Sequence, residues 1–136
     1  MCKAVAIFLT TSQGTVYLNQ RLNTPTYTGF WQNAGGKIDP GEHRLLAAQR
    51  ELLEETGLFI KPHRFRKLGT KKLVHADGSP YSVTTYKVQL LPHEIPQNLE
   101  HEKHGPWKNF PISEVTTLQP KVPAIAHYLS ALSTPS

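Results

Sequence analysis

The sequence predicts an α/β fold in which one mixed sheet lies between helices, built as a single domain over residues 1–132. Three observations predict it. Short β-prone runs alternate with turn residues, two segments of helical spacing differ in character, and no composition shift, repeat or low-complexity tract divides the chain. A length of 136 residues suits one domain and allows roughly two-thirds of the unfolded surface to be buried. Residues 133–136 read as a frayed tail.

Taken in order, residues 3–10 are apolar and β-prone, and a second run, 15–22, follows the turn residues Ser12, Gln13 and Gly14, so the pair reads as a hairpin. Residues 23–28 form a polar loop around Pro25, and 30–34 a short strand entering Gly35-Gly36. Pro40-Gly41 marks a turn. Residues 43–56 then make the clearest helix, free of Gly and Pro, with Gly57 placed to cap its end. Residues 58–73, interrupted by Pro62, read as strand at both ends. Asp77-Gly78-Ser79-Pro80 is a turn before a β run over 81–91. Residues 92–105 are loop, 107–110 a short edge strand, 112–115 one helical turn, and 122–132 a helix spaced by Ile125, Tyr128, Leu129 and Leu132.

Composition removes several classes. The longest apolar run, Ala4 to Leu9, is far short of a membrane span, and no early stretch has the parts of a secretory signal. The lone Cys2 excludes an internal disulfide framework and a Cys-rich zinc site. The spacing of the seven histidines suggests no metal site either, with His101 and His104 set in a loop. The expectation is a cytoplasmic protein with no membrane partner. Its net charge of +5 favours polyanions, a description met by nucleotides, pyrophosphates, RNA and anionic headgroups alike, and equally by a basic surface kept for solubility.

The helix over 43–56 carries the chemistry. At about 100° per residue, Glu51, Glu54 and Glu55 fall within an arc of roughly 100°, and Leu45, Leu46, Leu52 and Leu53 centre about 170° away. The leucines account for a buried face. The three glutamates repel one another at i,i+3 and i,i+4 and sit at the helix end that disfavours negative charge. A solvated acidic face is one explanation. Coordination of a hard divalent cation, Mg²⁺ or Mn²⁺, is the other, since it turns the repulsion into binding. Neighbouring residues favour the second. Gly35-Gly36 allows close backbone approach, so that a main-chain carbonyl faces an ion. Lys37 offers a compact charge for phosphate, Glu42 stands at the helix start, and the Arg50 guanidinium can hold Glu51 through a forked pair of hydrogen bonds.

Gly36, Glu42, Arg50-Glu51-Leu52, Glu54-Glu55 and Gly57-Leu58, with their spacing, resemble the Nudix box at every position. Chance gives such a match in roughly one chain in 10⁷ of this length at ordinary residue frequencies. The resemblance implies a Nudix hydrolase with an α/β/α sandwich. Such enzymes use Mg²⁺ or Mn²⁺ to split a nucleoside diphosphate linked to another group. It implies Glu51, Glu54 and Glu55 as metal ligands or base, the Gly36 carbonyl as a further ligand, Arg50 as the residue orienting Glu51, and Glu42 as a supporting carboxylate.

Outside the box, Arg21 resembles the phosphate-contacting Arg of MutT-like enzymes, its alternative being an exposed strand-end cation. Asn98-Leu99-Glu100-His101-Glu102-Lys103 and Trp107 resemble the Asn-x-Glu-Pro-Glu-Lys…Trp segment of the triphosphate-cleaving, nucleotide-pool-sanitising group. His101 replaces the Pro, and Lys108-Asn109 the acidic or aromatic pair. Glu100 or Glu102 can therefore bring a carboxylate to the metal from a loop. Trp31 and Trp107, with Phe30 and Tyr81, are candidates to stack a base, against a place in the core. Asn33 can read a base edge or cap a strand.

The leading expectation is hydrolysis of a nucleoside triphosphate, oxidised or not, to monophosphate and pyrophosphate by metal-activated water. A nucleotide sugar or other diphosphate derivative is a second substrate class. A triphosphorylated RNA 5′ end is a third, permitted by charge but not favoured, because no Lys/Arg stripe is interleaved with aromatics. A module that binds a nucleotide without cleaving it stands outside enzymology. Its mark would be loss of a box carboxylate, and none is lost. The small-molecule partner leaves monomer and homodimer both open.

Overall fold

The first strand, β1 (Cys2–Thr11), is the spine of the sheet in the computed structural model, which describes residues 2–75 and 77–133. Its consecutive apolar residues reflect burial on both sides: Val5, Ile7 and Leu9 enter one core, and Phe8 the other. Each such side chain removed from water contributes roughly 1.5–3 kcal/mol. β2 (Thr15–Gln20) returns antiparallel through Gly14, whose φ of 75° lies in the left-handed region that a glycine adopts freely. β3 (Trp31–Gln32) pairs with β2, and β4 (Ala34–Lys37) pairs with β1 on the same edge as β2.

Helix α1 (Arg44–Thr56) begins where His43 Nδ1 accepts from the Leu45 N–H at 3.1 Å, and ends at Gly57, whose N–H donates to Leu53. β5 (Arg66–Val74) and β6 (Pro80–Leu90) form the far edge, β6 running parallel to β1 from Cys2↔Tyr81 to Thr11↔Leu90. β7 (Lys108–Pro111) adds to β2, followed by α2 (Ile112–Val115) and α3 (Pro123–Leu132). The main order is β3-β2-β1-β6-β5. α1 covers the face holding Val5, Ile7, Leu9 and Val88, while α2 and α3 cover Phe8, Val16 and Leu18 through Ile112, Val115, Ile125 and Leu132. The mixed sheet between helices is therefore the expected sandwich. No helix among the described residues is long and apolar enough to cross a membrane. Of the expected tail, residues 134–136 lie outside the described residues.

Several expectations change. The strand expected over 30–34 is two short strands separated at Asn33, and Gly35-Gly36 lies within β4, opposite Ala6 and Val5. Size rather than backbone freedom fixes these glycines: a Cβ on Gly35 would run into the Val5 carbonyl, and one on Gly36 into the Glu51 carboxylate. The first end of the 58–73 run forms no strand, because Pro62 opens a 3₁₀ turn over Pro62–Arg64 and pairing starts only at Arg66.

The leucine face is the largest correction. Leu46 and Leu53 are 51% and 41% exposed, whereas Ala47, Ala48, Leu52, Glu55 and Thr56 are buried. The buried direction lies about a quarter turn from the centre of the leucines, toward the glutamates. Two alanines let α1 lie close to the sheet, and that rotation draws Glu55 inside.

Candidate active site

Arg50 gathers the acidic residues of α1. Its Nε and Nη2 donate to Glu42 at 2.9 and 3.0 Å, its Nη1 to Glu51 at 3.1 Å and to Glu54 at 3.3 Å, and Nη2 also to the Lys37 carbonyl at 3.0 Å. The fork thus grips Glu42 rather than Glu51, since Glu42 faces Nε and Nη2 from the loop before the helix. Glu51 receives a single bond. The guanidinium holds the Glu42 carboxyl at about 2, far below its ordinary value, and its own pKa rises in return.

Glu51 lies against the strand that carries Gly36, and burial raises its pKa despite the opposing charge of Arg50. Glu54 stays half-exposed at the rim. Glu55 is 5% exposed, accepts from the Gly35 N–H at 3.1 Å, and is pushed up to about 9 by burial, with Glu51, Glu100 and Glu54 adding to the rise. A carboxylate placed so is costly unless a cation joins it.

The 92–105 loop brings the next groups. Asn98 ties it at two points: its Oδ1 accepts from the Glu100 N–H at 3.3 Å and its Nδ2 donates to the His104 carbonyl at 3.0 Å. The Glu100 carbonyl accepts from the Lys103 and His104 N–H groups, making one helical turn that sets Glu100 and His104 on the same side. Ligand atoms of Glu55, Glu100 and His104 lie within 4.8 Å of one another. His104 therefore stands beside two carboxylates, a grouping that the spacing of the histidines did not suggest. The signal was present as Glu100 and His104 at i,i+4, a mixed pair that spacing between histidines alone does not register.

These groups open on a cavity of about 1230 Å³. Gly35, Gly36, Lys37, Glu51, Glu54, Glu55 and Glu100 line it, together with Arg21 and Asn33. Arg21 donates to Gln32 at 2.8 Å and to the Thr26 carbonyl at 3.0 Å, so its head is held in place. Asn33 Nδ2 donates to the adjacent Ala34 carbonyl at 2.8 Å. Gln32, Tyr81, Thr85, His127 and Tyr128 are among the other lining residues, and of these only Tyr81 was expected near a ligand. Four expected residues lie outside the lining, the first being Phe30, whose ring packs against Tyr27. Trp31 is buried in the α3-side core, edge-on to Phe110, because β3 pairing turns its ring inward. Trp107 packs against the α1-side core. Glu102 is exposed and absent from the lining, its carbonyl accepting from Asn23.

The family described as NUDIX domain matches residues 2–132. The chain belongs to that family. Its Nudix box spans β4 to the end of α1, and its fold is MutT-like. The crystal structure of the MutT NUDIX hydrolase from Burkholderia pseudomallei is similar at a TM-score of 0.81, covering 95% of each chain at 24% identity. Curated relatives match over shorter stretches. An RNA pyrophosphohydrolase of Bartonella bacilliformis is 43% identical over 61 residues, 41% of this chain and 36% of that protein. A putative 8-oxo-dGTP diphosphatase 2 of Mycobacterium tuberculosis is 44% identical over 46 residues, 34% of this chain and 33% of that protein. The chain spans about a third of the length of these relatives.

The residues fit a divalent cation. Glu55 and Glu100 face one another across a space their charges alone would keep apart, and Glu55 is too buried to stay ionised without a positive partner.

Proposed function

We propose that this Nudix domain hydrolyses a phosphoanhydride of a nucleoside triphosphate, releasing monophosphate and pyrophosphate. The observation that carries the reading is one cavity, of about 1230 Å³, in which the box carboxylates meet a loop carboxylate beside Lys37 and Arg21. At more than the roughly 300–1,000 Å³ of ordinary ligand pockets, it has room for a whole nucleotide. The MutT-like fold and the diphosphatase relative support the same substrate class.

Glu51, Glu54, Glu55 and Glu100, with the Gly36 carbonyl, would hold Mg²⁺ or Mn²⁺. Such an ion supplies Lewis-acid charge on phosphate and lowers the pKa of water by several units. The chain's own residues do the rest. Lys37 and Arg21 offer positive charge to the phosphates, which otherwise repel a nucleophile. Glu51, raised by burial and steadied by Arg50, accepts the proton of the attacking water. The water oxygen forms its bond to phosphorus as the anhydride P–O bond breaks, and the bridging oxygen leaves with the departing phosphate. No covalent bond to the enzyme forms. Arg50 and Glu42, outside the cavity lining, position this set.

A triphosphorylated RNA 5′ end is the second reading, supported by the RNA pyrophosphohydrolase relatives and by the exposed Lys71 and Lys72 on β5. Both substrates carry the same anhydride. With Mg²⁺, a panel of NTPs, dNTPs, a nucleotide sugar and a 5′-triphosphorylated oligonucleotide separates them by product. Monophosphate plus pyrophosphate from free NTP at the highest kcat/KM supports the first reading. A preference of tenfold or more for the oligonucleotide overturns it in favour of the second, and a sugar phosphate as the main product overturns both.

A further inference from the structure

The loop turn brings into the cavity a group that carboxylate chemistry does not need. His104 is 8% exposed, and its imidazole makes no hydrogen bond among the described residues. Its Nδ1 stands 3.7 Å from Glu100 Oε1, beyond hydrogen-bond range and at the separation two ligands of one ion keep. A ring nitrogen, a Glu55 oxygen and a Glu100 oxygen all fall within 4.8 Å of one another. The backbone on both sides is pinned: Asn98 holds the turn from within, His104 bridges to Arg21, and the Gly105 N–H donates to Gln20 at 2.9 Å. A largely buried imidazole whose ring nitrogen stands this close to two carboxylates forms, with them, a ligand set for one cation.

Mg²⁺ favours six oxygens in strict geometry and gains little from nitrogen, whereas first-row transition ions accept imidazole readily. We propose that His104 is a nitrogen ligand which, with Glu55 and Glu100, forms a divalent-cation position selective for first-row transition ions over Mg²⁺, with Mn²⁺ as its spectroscopic probe. This inference rests on the metal-dependent reading above and adds a ligand and a selectivity to it. Asn98 positions the ligand pair.

Pulsed electron paramagnetic resonance on the EDTA-stripped chain with one equivalent of Mn²⁺ tests this directly. The echo of the unaltered protein should carry the modulation of a directly bound ¹⁴N. The modulation should vanish in His104→Ala and in His104→Gln, the second variant guarding against a cavity effect, with circular dichroism confirming the fold of each. The Mn²⁺ Kd should rise at least about tenfold, the loss that removing even an outer-shell group causes. The Mg²⁺ Kd should change less than about twofold. No nitrogen modulation in the unaltered protein, or modulation that persists in both folded variants, overturns the assignment. Turnover of a nucleoside triphosphate with Mg²⁺ is measured in parallel. Turnover without nitrogen coupling defeats this inference alone, and coupling without turnover on any nucleotide defeats the functional reading alone.

Discussion

Replacing Glu55 by Gln gives the sharpest test of the buried carboxylate. The amide keeps the shape and can still accept from the Gly35 N–H, but it cannot ionise. In the metal-free protein burial pushes Glu55 up to about 9, against about 4.5 for an ordinary glutamate. Between those values the folded state holds a proton that the unfolded state has lost, so stability must fall as pH rises. The contribution is complete below about 4.5 and is lost as pH climbs through about 9. Each pH unit in that window costs about 1.4 kcal/mol, or about 2.7 kcal/mol between pH 5.5 and 7.5. His104, lowered by burial, acts in the opposite sense below its ordinary pKa, so the comparison must be between variants. Urea unfolding in EDTA at pH 5.5, 6.5 and 7.5 should show the unaltered protein losing stability relative to Glu55→Gln by about that amount. Adding Mn²⁺ should reduce or reverse the difference, because the ion binds only the ionised carboxylate. Parallel pH dependence for the two proteins would refute the burial argument.

Other expectations follow from single contacts. Gly36→Ala places a methyl where the Glu51 carboxylate lies, so turnover should fall about 10²-fold while the unfolding free energy in urea falls by no more than an overpacked site gives, about 1–3 kcal/mol. Arg50→Lys cannot reproduce the fork to Glu42. Because that pair holds Glu42 near 2, its stability is present above about 4.5 and lost as pH falls toward 2, and acid unfolding of the variant should lose this component. Leu52→Ala should cost about 2–5 kcal/mol in urea unfolding, whereas the exposed Leu53→Ala should cost under about 1 kcal/mol. Equal costs would place α1 in the orientation that the leucine pattern alone implies.

That last contrast shows where sequence reasoning reached its limit. The hairpin, the β run that becomes β6 and the Gly57 cap are local, and composition with period announces them, whereas the parallel pairing of β6 with β1 joins residues far apart in the chain. The rotation of α1 is not local. A wheel finds the leucines, but Ala47 and Ala48 decide how closely the helix lies on Val5, Ile7 and Leu9, and that choice buries Glu55. The box was legible because its spacing is rigid. Gly36 was legible as close backbone approach but not as a limit on size, since its neighbour Glu51 lies fifteen positions away and meets it only after folding. Trp31 could be read as a stacking platform until β3 paired with β2 and turned it into the core. His104 was hidden because its partners are carboxylates, one of them on a different element.

Magnesium-dependent product formation from a nucleoside triphosphate, compared across the unaltered chain, Glu51→Gln and Glu54→Gln, tests the central claim most directly. Monophosphate and pyrophosphate should appear with Mg²⁺, disappear with EDTA, and drop by at least two orders of magnitude in both variants. Equal turnover in all three proteins, or turnover indifferent to EDTA, would contradict it.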